Sequence, residues 1–317
     1  MKLLFIGDIH FRATSPRNRK DDYLNTLEAK LLECWEIAKR YNVQAILQPG
    51  DVFHSPEVSI PTLLKAVEIF NRCPVPFYTT PGNHDLHGYN LDSYGRTSLR
   101  LLDMLCERLY VGLSDEHQTG DDTTNITFQP YTSSIDTSDY LYRYLSLSDA
   151  FTVNVRVIHS MLLDHDLPYE ARYTNLYNLE TNADIILSGH DHCGYGVIKR
   201  QDGKLFVNPG ALMRLTASEA EMNRTVQVAI IDTETRTAEL VPLTTAKPAV
   251  EVLDRSKLEE KKERLYAMED FAALIKTTDG QAVMNLDEII TNIGKQEAIP
   301  DEVVRKALHL LRGAKRD

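Results

Sequence analysis

Five short polar strings carry side chains able to bind hard divalent cations: Asp8-Ile9-His10, Gly50-Asp51, Gly82-Asn83-His84-Asp85, His159 and Gly189-His190-Asp191-His192. Carboxylate and amide oxygens mixed with imidazole nitrogens are the donor set of a two-ion site, which also needs one carboxylate able to touch both ions. Each string alone has a plainer reading, because a lone histidine or an Asp-Gly turn is more often a satisfied polar residue or a turn former. Together they read differently, since each closes a short apolar run. In D-x-H and H-x-H, two ligands one residue apart reach a single ion only where the backbone turns beyond a strand end.

The elements that must position these groups are legible as apolar runs rich in β-branched and aromatic residues at 2–6, 43–47, 75–79, 153–158, 183–187 and 205–207. Such runs predict strands buried on both faces. Between the first two, residues 23–40 place Leu24, Leu27, Leu31, Trp35 and Ala38 at helical spacing, which predicts a crossover helix. Residues 60–71, with Pro61 in the first turn, and 98–108 also read as helices. This alternation predicts an α/β layered fold in which the ends of parallel strands meet on one rim. Residues 226–231 and 238–243 flank a turn at 232–236 and predict a hairpin on an antiparallel edge. Residues 114–139 are polar and read as loop with one short strand ending at Gln129-Pro130-Tyr131.

The character changes near Ala246-Lys247-Pro248, so we divide the chain into a domain at 1–245 and a helical appendage at 246–317, with helices at 256–275 and 300–312. Over 317 residues, 43% hydrophobic and 26% charged, the chain can bury a full core, which excludes wholesale disorder. Its 35 basic residues against 46 acidic ones give a net charge of −11. That balance speaks against holding nucleic acid by broad electrostatics, but not against a nuclease, where cations supply positive charge locally. Cys34, Cys73, Cys106 and Cys193 form no C-x-x-C pair and read as reduced, buried thiols. The apolar run at the start is too short for a signal peptide, and no stretch approaches the roughly 18 apolar residues of a membrane span. A cytoplasmic protein is expected, with no membrane partner.

The order D-x-H, G-D, G-N-H-D, H and G-H-x-H resembles the calcineurin-like metallophosphoesterase family over residues 1–243. The resemblance implies a two-sheet β-sandwich flanked by helices, with two divalent ions at the strand ends. It further implies that Asp8, His10 and His192 hold one metal and that Asn83, His159 and His190 hold the other. Asp51 would bridge them, and His84 would be the general acid that protonates the leaving oxygen. Asp85 reads either as steadying the His84 imidazole or as a loop-capping acid. The mixed donor set favours Mn²⁺, with Fe²⁺ or Zn²⁺ as alternatives.

Within that family, Gly50-Asp51-Val52-Phe53-His54 lacks the second acid of the protein Ser/Thr phosphatases. It is similar instead to the SbcCD-type nuclease subunit and its Mre-type relatives. That likeness implies that His54 lies near His84 and helps seat a DNA phosphate, although His54 also reads as a polar cap beside Ser55-Pro56. It implies a DNA exo/endonuclease of repair or recombination, a homodimer built through residues 59–70, and an ABC-type ATPase partner with a coiled coil. The appendage would cap the site or dock on that partner, and its last helix is basic through Arg305, Lys306, Arg312, Lys315 and Arg316. A solvated charged helix is the plain alternative. The rival activity is a stand-alone phosphodiesterase for cyclic nucleotides or other small esters.

Overall fold

In a computed structural model of the chain, the strand-helix alternation forms layers. The structure describes residues 1–113, 118–120, 123–137, 153–256, 291, 304, 305 and 308. The chain divides into two units, Met1–Arg255 and Ser256–Asp317. The helices expected at 256–275 and 300–312 lie outside the described residues, apart from Ser256, Val304, Arg305 and Leu308, which are helical.

The first unit begins β1 (Lys2–Phe5), α1 (Tyr23–Arg40), β2 (Ala45–Gln48), α2 (Ile60–Phe70), β3 (Phe77–Thr79), α3 (Ser98–Leu105) and β4 (Leu109–Val111). It continues β5 (Gln118–Gly120), β6 (Thr124–Gln129), β7 (Val153–Ser160), β8 (Leu162–Leu163), β9 (Thr174–Asn175), β10 (Ile185–His190), β11 (Gly196–Lys199) and β12 (Leu205–Asn208). It closes with α4 (Glu219–Asn223), β13 (Gln227–Asp232), β14 (Thr237–Pro242) and α5 (Ala249–Val252). One six-stranded sheet runs β14-β13-β1-β2-β3-β4 and a second runs β11-β12-β10-β7-β6-β5. Strands β1 to β4 are mutually parallel, as are β6, β7, β10 and β12; β13 runs antiparallel to both β1 and β14, and β11 and β5 are antiparallel edges of the second sheet.

Side chains alternate across each strand and so build separate cores. Leu3 and Phe5 of β1 join Ala45, Leu47, Phe128, Val155, Val157, Ile185, Leu187 and Val207 between the two sheets. Leu4 and Ile6 point the other way, against Leu27, Leu31 and Trp35 of α1 and Leu63 and Phe70 of α2. Helix α1 is capped at its start by Asp22, whose carboxylate accepts the Asn25 N–H. Ser59 caps α2 in the same way and fixes where the chain leaves the rim after β2. The result is the two-sheet sandwich flanked by helices that the motif order implied.

Two departures have physical causes. The second sheet is parallel without intervening helices among the described residues: β7 leads to β10 through β8, β9 and loop. The short strand expected to end at Gln129 is β6, whose Asn125, Thr127 and Gln129 are polar yet buried. Thr127 and Gln129 satisfy the buried Arg156 of the adjoining β7, so the strand's outward face is a polar network. Residues 246–255 belong to the first unit, because the Lys20 N–H donates to the Val252 carbonyl and the Asp254 N–H to that of Asn18. Cys34, Cys73 and Cys106 are buried, whereas Cys193, expected inside, is exposed. Among the described residues no helix is long and apolar enough to cross a membrane.

Candidate metal centre

The ends of β1, β2 and β3 meet those of β7 and β10 at one rim of the sandwich. His159 and His190 do not follow their strands, as the sequence suggested, but occupy the last rungs of β7 and β10, where Gly189 pairs with His159 and His190 with Ser160. The required turns are present: His10, Asp51 and His190 have φ of 51°, 57° and 77°, the left-handed region that non-glycine residues rarely enter. These strained residues sit at the site itself. Close approach also dictates glycine. A Cβ on Gly50, at φ 117°, would lie 2.6 Å from the Gly82 nitrogen and 2.8 Å from His159 Nδ1, and one on Gly82 would overlap the Asp51 carboxylate.

The backbone is cross-linked strand end to strand end. The Asp51 carbonyl accepts the N–H groups of Ile9 at 3.2 Å and His10 at 2.9 Å. The His190 N–H donates to Asp8 Oδ2 at 3.0 Å, joining β1 to β10. Asp85 is buried and accepts the N–H groups of Val52, Phe53 and Gly82 at 3.2, 2.8 and 3.0 Å. It ties the loop after β2 to the loop after β3, so the loop-capping role is the one present. The His84 imidazole is oriented otherwise: its Nδ1 lies 2.9 Å from the His54 carbonyl. A carbonyl only accepts, which puts the Nδ1 proton there and leaves Nε2 bare. Asn208, in the Asn208-Pro209-Gly210 turn, donates through Nδ2 to the Asp191 carbonyl at 3.0 Å and steadies the His190–His192 loop.

Six of the seven side chains singled out as ligands converge in two groups that share one carboxylate, and the seventh, Asn83, faces His159 of the second group. Donor atoms of Asp8, His10, Asp51 and His192 lie within 4.8 Å of one another, as do those of Asp51, His159 and His190. His10 Nε2 and His192 Nε2 are 2.9 Å apart. Asp51 Oδ1 accepts the His84 N–H at 2.8 Å, while Asp51 Oδ2 is buried with no hydrogen-bond partner. That oxygen stands 3.7 Å from His10 Nε2 and 3.6 Å from His159 Nε2, between the two groups. His159 Nδ1 faces the Pro49 carbonyl at 3.1 Å, which assigns the proton to Nδ1 and turns the Nε2 lone pair toward Asn83 Oδ1, 2.9 Å away. Two acceptors facing each other, and an orphaned carboxylate oxygen, are what a shared cation would satisfy. The donor set fits two divalent ions.

Burial and neighbouring charge set the protonation states. Burial drives the His10 pKa well below its ordinary value, and the adjacent His192 adds to the shift. Burial likewise lowers His159, to about 3, and His190. All three rings are neutral at ordinary pH and offer lone pairs. Burial raises the Asp8 carboxyl, but the His192 hydrogen bond opposes it, and Asp8 is held well below the usual range. Asp51 is pushed well above that range by burial and then by Asp8 and Asp85. A cation at the shared oxygen removes that penalty.

His54 and His84 stack, with ring centroids 5.1 Å apart and planes 20° apart, and both stand next to His10. Burial lowers His54 to about 4, and the Arg12 guanidinium nearby adds to the shift. The sequence reading passed over Tyr131, which the structure sets against the second group: its ring lies 5.8 Å from that of His190 and 6.1 Å from that of His159. Its only signal was a place at a strand end beside the other strand-end motifs. It also passed over the Pro49 carbonyl, which no side-chain pattern reveals.

The calcineurin-like phosphoesterase family matches residues 1–194, a stretch holding every candidate ligand. No curated protein matches the chain in sequence. Among solved structures it is similar to TT1561 of Thermus thermophilus, with a TM-score of 0.46 and 14% identity over 76% of this chain and 98% of that one. It is similar also to a putative 5′-nucleotidase from Staphylococcus aureus, with a TM-score of 0.45 and 16% identity over 83% and 57%. A third similar structure is YfcE, a phosphoesterase from E. coli, with a TM-score of 0.36 and 13% identity over 77% and 100%.

Proposed function

The chain belongs to the calcineurin-like phosphoesterase family, and from that footing we propose that it is a DNA exo- and endonuclease, the nuclease subunit of a complex with a coiled-coil ABC-type ATPase. The coarser activity, metal-dependent hydrolysis of phosphoesters, comes with the family and with the His/Asp cluster. The observation that carries the reading is the buried, unpartnered Asp51 Oδ2 between two ligand groups, with the stacked His54–His84 pair beside it. Asp8, His10, Asp51 and His192 would hold one cation, and Asp51, Asn83, His159 and His190 the other. When bound, such a pair supplies Lewis acidity that activates water near neutral pH and neutralises phosphoryl oxygens. The donor set favours Mn²⁺.

The protein's own groups do the rest. His84, held at Nδ1 by the His54 carbonyl, keeps Nε2 free to carry the second proton of the imidazolium. As a water oxygen bonds to phosphorus and sheds a proton to solvent, the P–O bond opposite breaks, its electron pair stays on the leaving oxygen, and His84 Nε2 delivers a proton there. His54, with Arg12 near it, seats the phosphate. For an acidic chain of net charge −11, this local recognition replaces a broad basic surface. A homodimer is supported by apolar side chains turned outward from the packed helices α2 and α3: Ile60 is 73% exposed, Leu64 60% and Met104 65%.

The test is incubation of the purified chain with Mn²⁺ and end-labelled duplex or hairpin DNA, with and without chelator. Digestion abolished by chelator is expected. Inertness toward DNA together with rapid hydrolysis of small diesters would replace this reading with the stand-alone phosphodiesterase. Sedimentation at rising concentration checks the dimer, which Leu64→Glu is expected to dissociate.

A further inference from the structure

We propose that Tyr89 and Tyr131 form a stacking subsite for the nucleobase of the nucleotide adjoining the scissile phosphate. The proposal rests on the phosphodiesterase reading of the centre above and names how its substrate is recognised. The two rings meet edge to face, with centroids 6.0 Å apart and planes 68° apart. Tyr131 in turn touches the rings of His190 and His159, so the aromatic pair is continuous with the second ligand group. A base hangs from its phosphate by one sugar, and the Tyr131 ring stands 5.8 Å, centroid to centroid, from the ring of the ligand His190.

The placement is built into the backbone. The Tyr131 N–H donates to the Pro81 carbonyl at 2.9 Å, locking that ring to the turn that presents Asn83 and His84. On the other side, the His87 N–H donates to Ser93 Oγ at 2.9 Å and the Asn90 N–H to the His87 carbonyl at 3.2 Å. Between these anchors Gly88 and Tyr89 adopt φ of 58° and 60°. Closed by that Asn90–His87 bond, the pair makes a type I′ turn, in which Gly88 sits freely but a bulky residue such as Tyr89 is an outlier. The strain holds a large aromatic ring 55% exposed, where burial gives it no reward. Aromatic stacking also suits an acidic protein, because it grips a base through its π-face with no cationic surface.

The experiment titrates the metal-loaded protein, in Ca²⁺, with a phosphorothioate-linked trinucleotide carrying 2-aminopurine at its centre, and with the same trinucleotide abasic at that position. Wild type and Tyr89→Phe are expected to quench the fluorophore and to bind the base-bearing ligand on the order of tenfold more tightly than the abasic one. In Tyr89→Ala and Tyr131→Leu that ratio is expected to fall toward one and the quench to vanish. Circular dichroism confirms that each variant is folded. A ratio of one in wild type, or an undiminished ratio and quench in folded Tyr89→Ala, overturns the subsite. The nuclease reading fails separately: absence of chelator-sensitive DNA cleavage with the base preference intact removes the nuclease and leaves the subsite standing, and cleavage with a ratio of one does the reverse.

Discussion

Asp85 is the test of how this rim is held together. Its carboxylate receives three buried N–H groups, from Val52, Phe53 and Gly82, and nothing places it on the His84 ring, whose Nδ1 is taken by the His54 carbonyl. Asp85→Ala leaves three donors without a partner. At about 1–3 kcal/mol for each orphaned group, discounted for a water entering the space of the lost carboxylate, the loss is about 3–6 kcal/mol. For a unit of this size that lowers Tm by about 10 °C or more. Asp85→Asn keeps one acceptor for Phe53 but turns an NH₂ toward the other donors, and is expected to lose about half as much. Because Gly82 and Val52 flank Asn83 and Asp51, both variants are also expected to weaken Mn²⁺ binding. Thermal and urea unfolding followed by circular dichroism, beside Mn²⁺ titration, gives all three quantities. An Asp85→Ala protein within about 1 kcal/mol of wild type and with unaltered Mn²⁺ affinity would refute the reasoning. So would an effect confined to the pH–rate profile, which is the signature of a group acting through the His84 imidazole.

Removing His84 is expected to separate binding from turnover: His84→Ala keeps its metal and loses on the order of 10²-fold or more in rate, whereas Asp51→Ala loses both, as metal analysis beside a bis-p-nitrophenyl phosphate assay will show. Gly82→Ala drives a methyl into the Asp51 carboxylate and backbone; it is expected to fold with reduced stability and to bind Mn²⁺ far more weakly, read by calorimetry. Lys30 gives a pH dependence away from the site. Its ammonium is buried, donates to the Leu212 carbonyl at 2.8 Å, and is lowered to about 7 by burial and then by Arg19. Between that value and the ordinary 10.5 the unfolded chain binds the extra proton, so stability rises with pH, by up to about 1.4 kcal/mol per unit. The rise is expected over about pH 7–9, before the raised thiols of Cys34 and Cys73 oppose it, and Lys30→Met is expected to flatten it in urea unfolding.

The parts of this protein legible in sequence are those where one short stretch holds the whole signal. Strands buried on both faces announce themselves as apolar runs, and α1 shows its spacing and its cap within a few residues. The candidate ligands were legible for the same reason, since D-x-H, G-N-H-D and G-H-x-H each carry their chemistry locally. What stayed hidden is whatever depends on a partner distant along the chain. The end of β6 was legible at Gln129, but not why the strand is polar: Thr127 and Gln129 answer Arg156, 29 and 27 positions away. Asp85 reads equally well as a brace for His84 or as a cap until its three donors are seen on two different loops. The proton on His159 is fixed by the Pro49 carbonyl, 110 residues earlier, and no side-chain pattern encodes a carbonyl.

The same logic explains why the tyrosine pair escaped notice. Tyr89 stands in a polar turn and Tyr131 lies just past the short strand expected to end at Gln129, and neither has a spacing that joins them. Only the pairing of β6, β7 and β10 within one sheet brings Tyr131 against His159 and His190, while the left-handed turn at Gly88–Tyr89 swings the second ring onto the first. Ligands to a cation are constrained in type, so sequence reveals them. A stacking surface is constrained only in shape and place, so the fold must be in hand before its residues can be told from ordinary exposed aromatics.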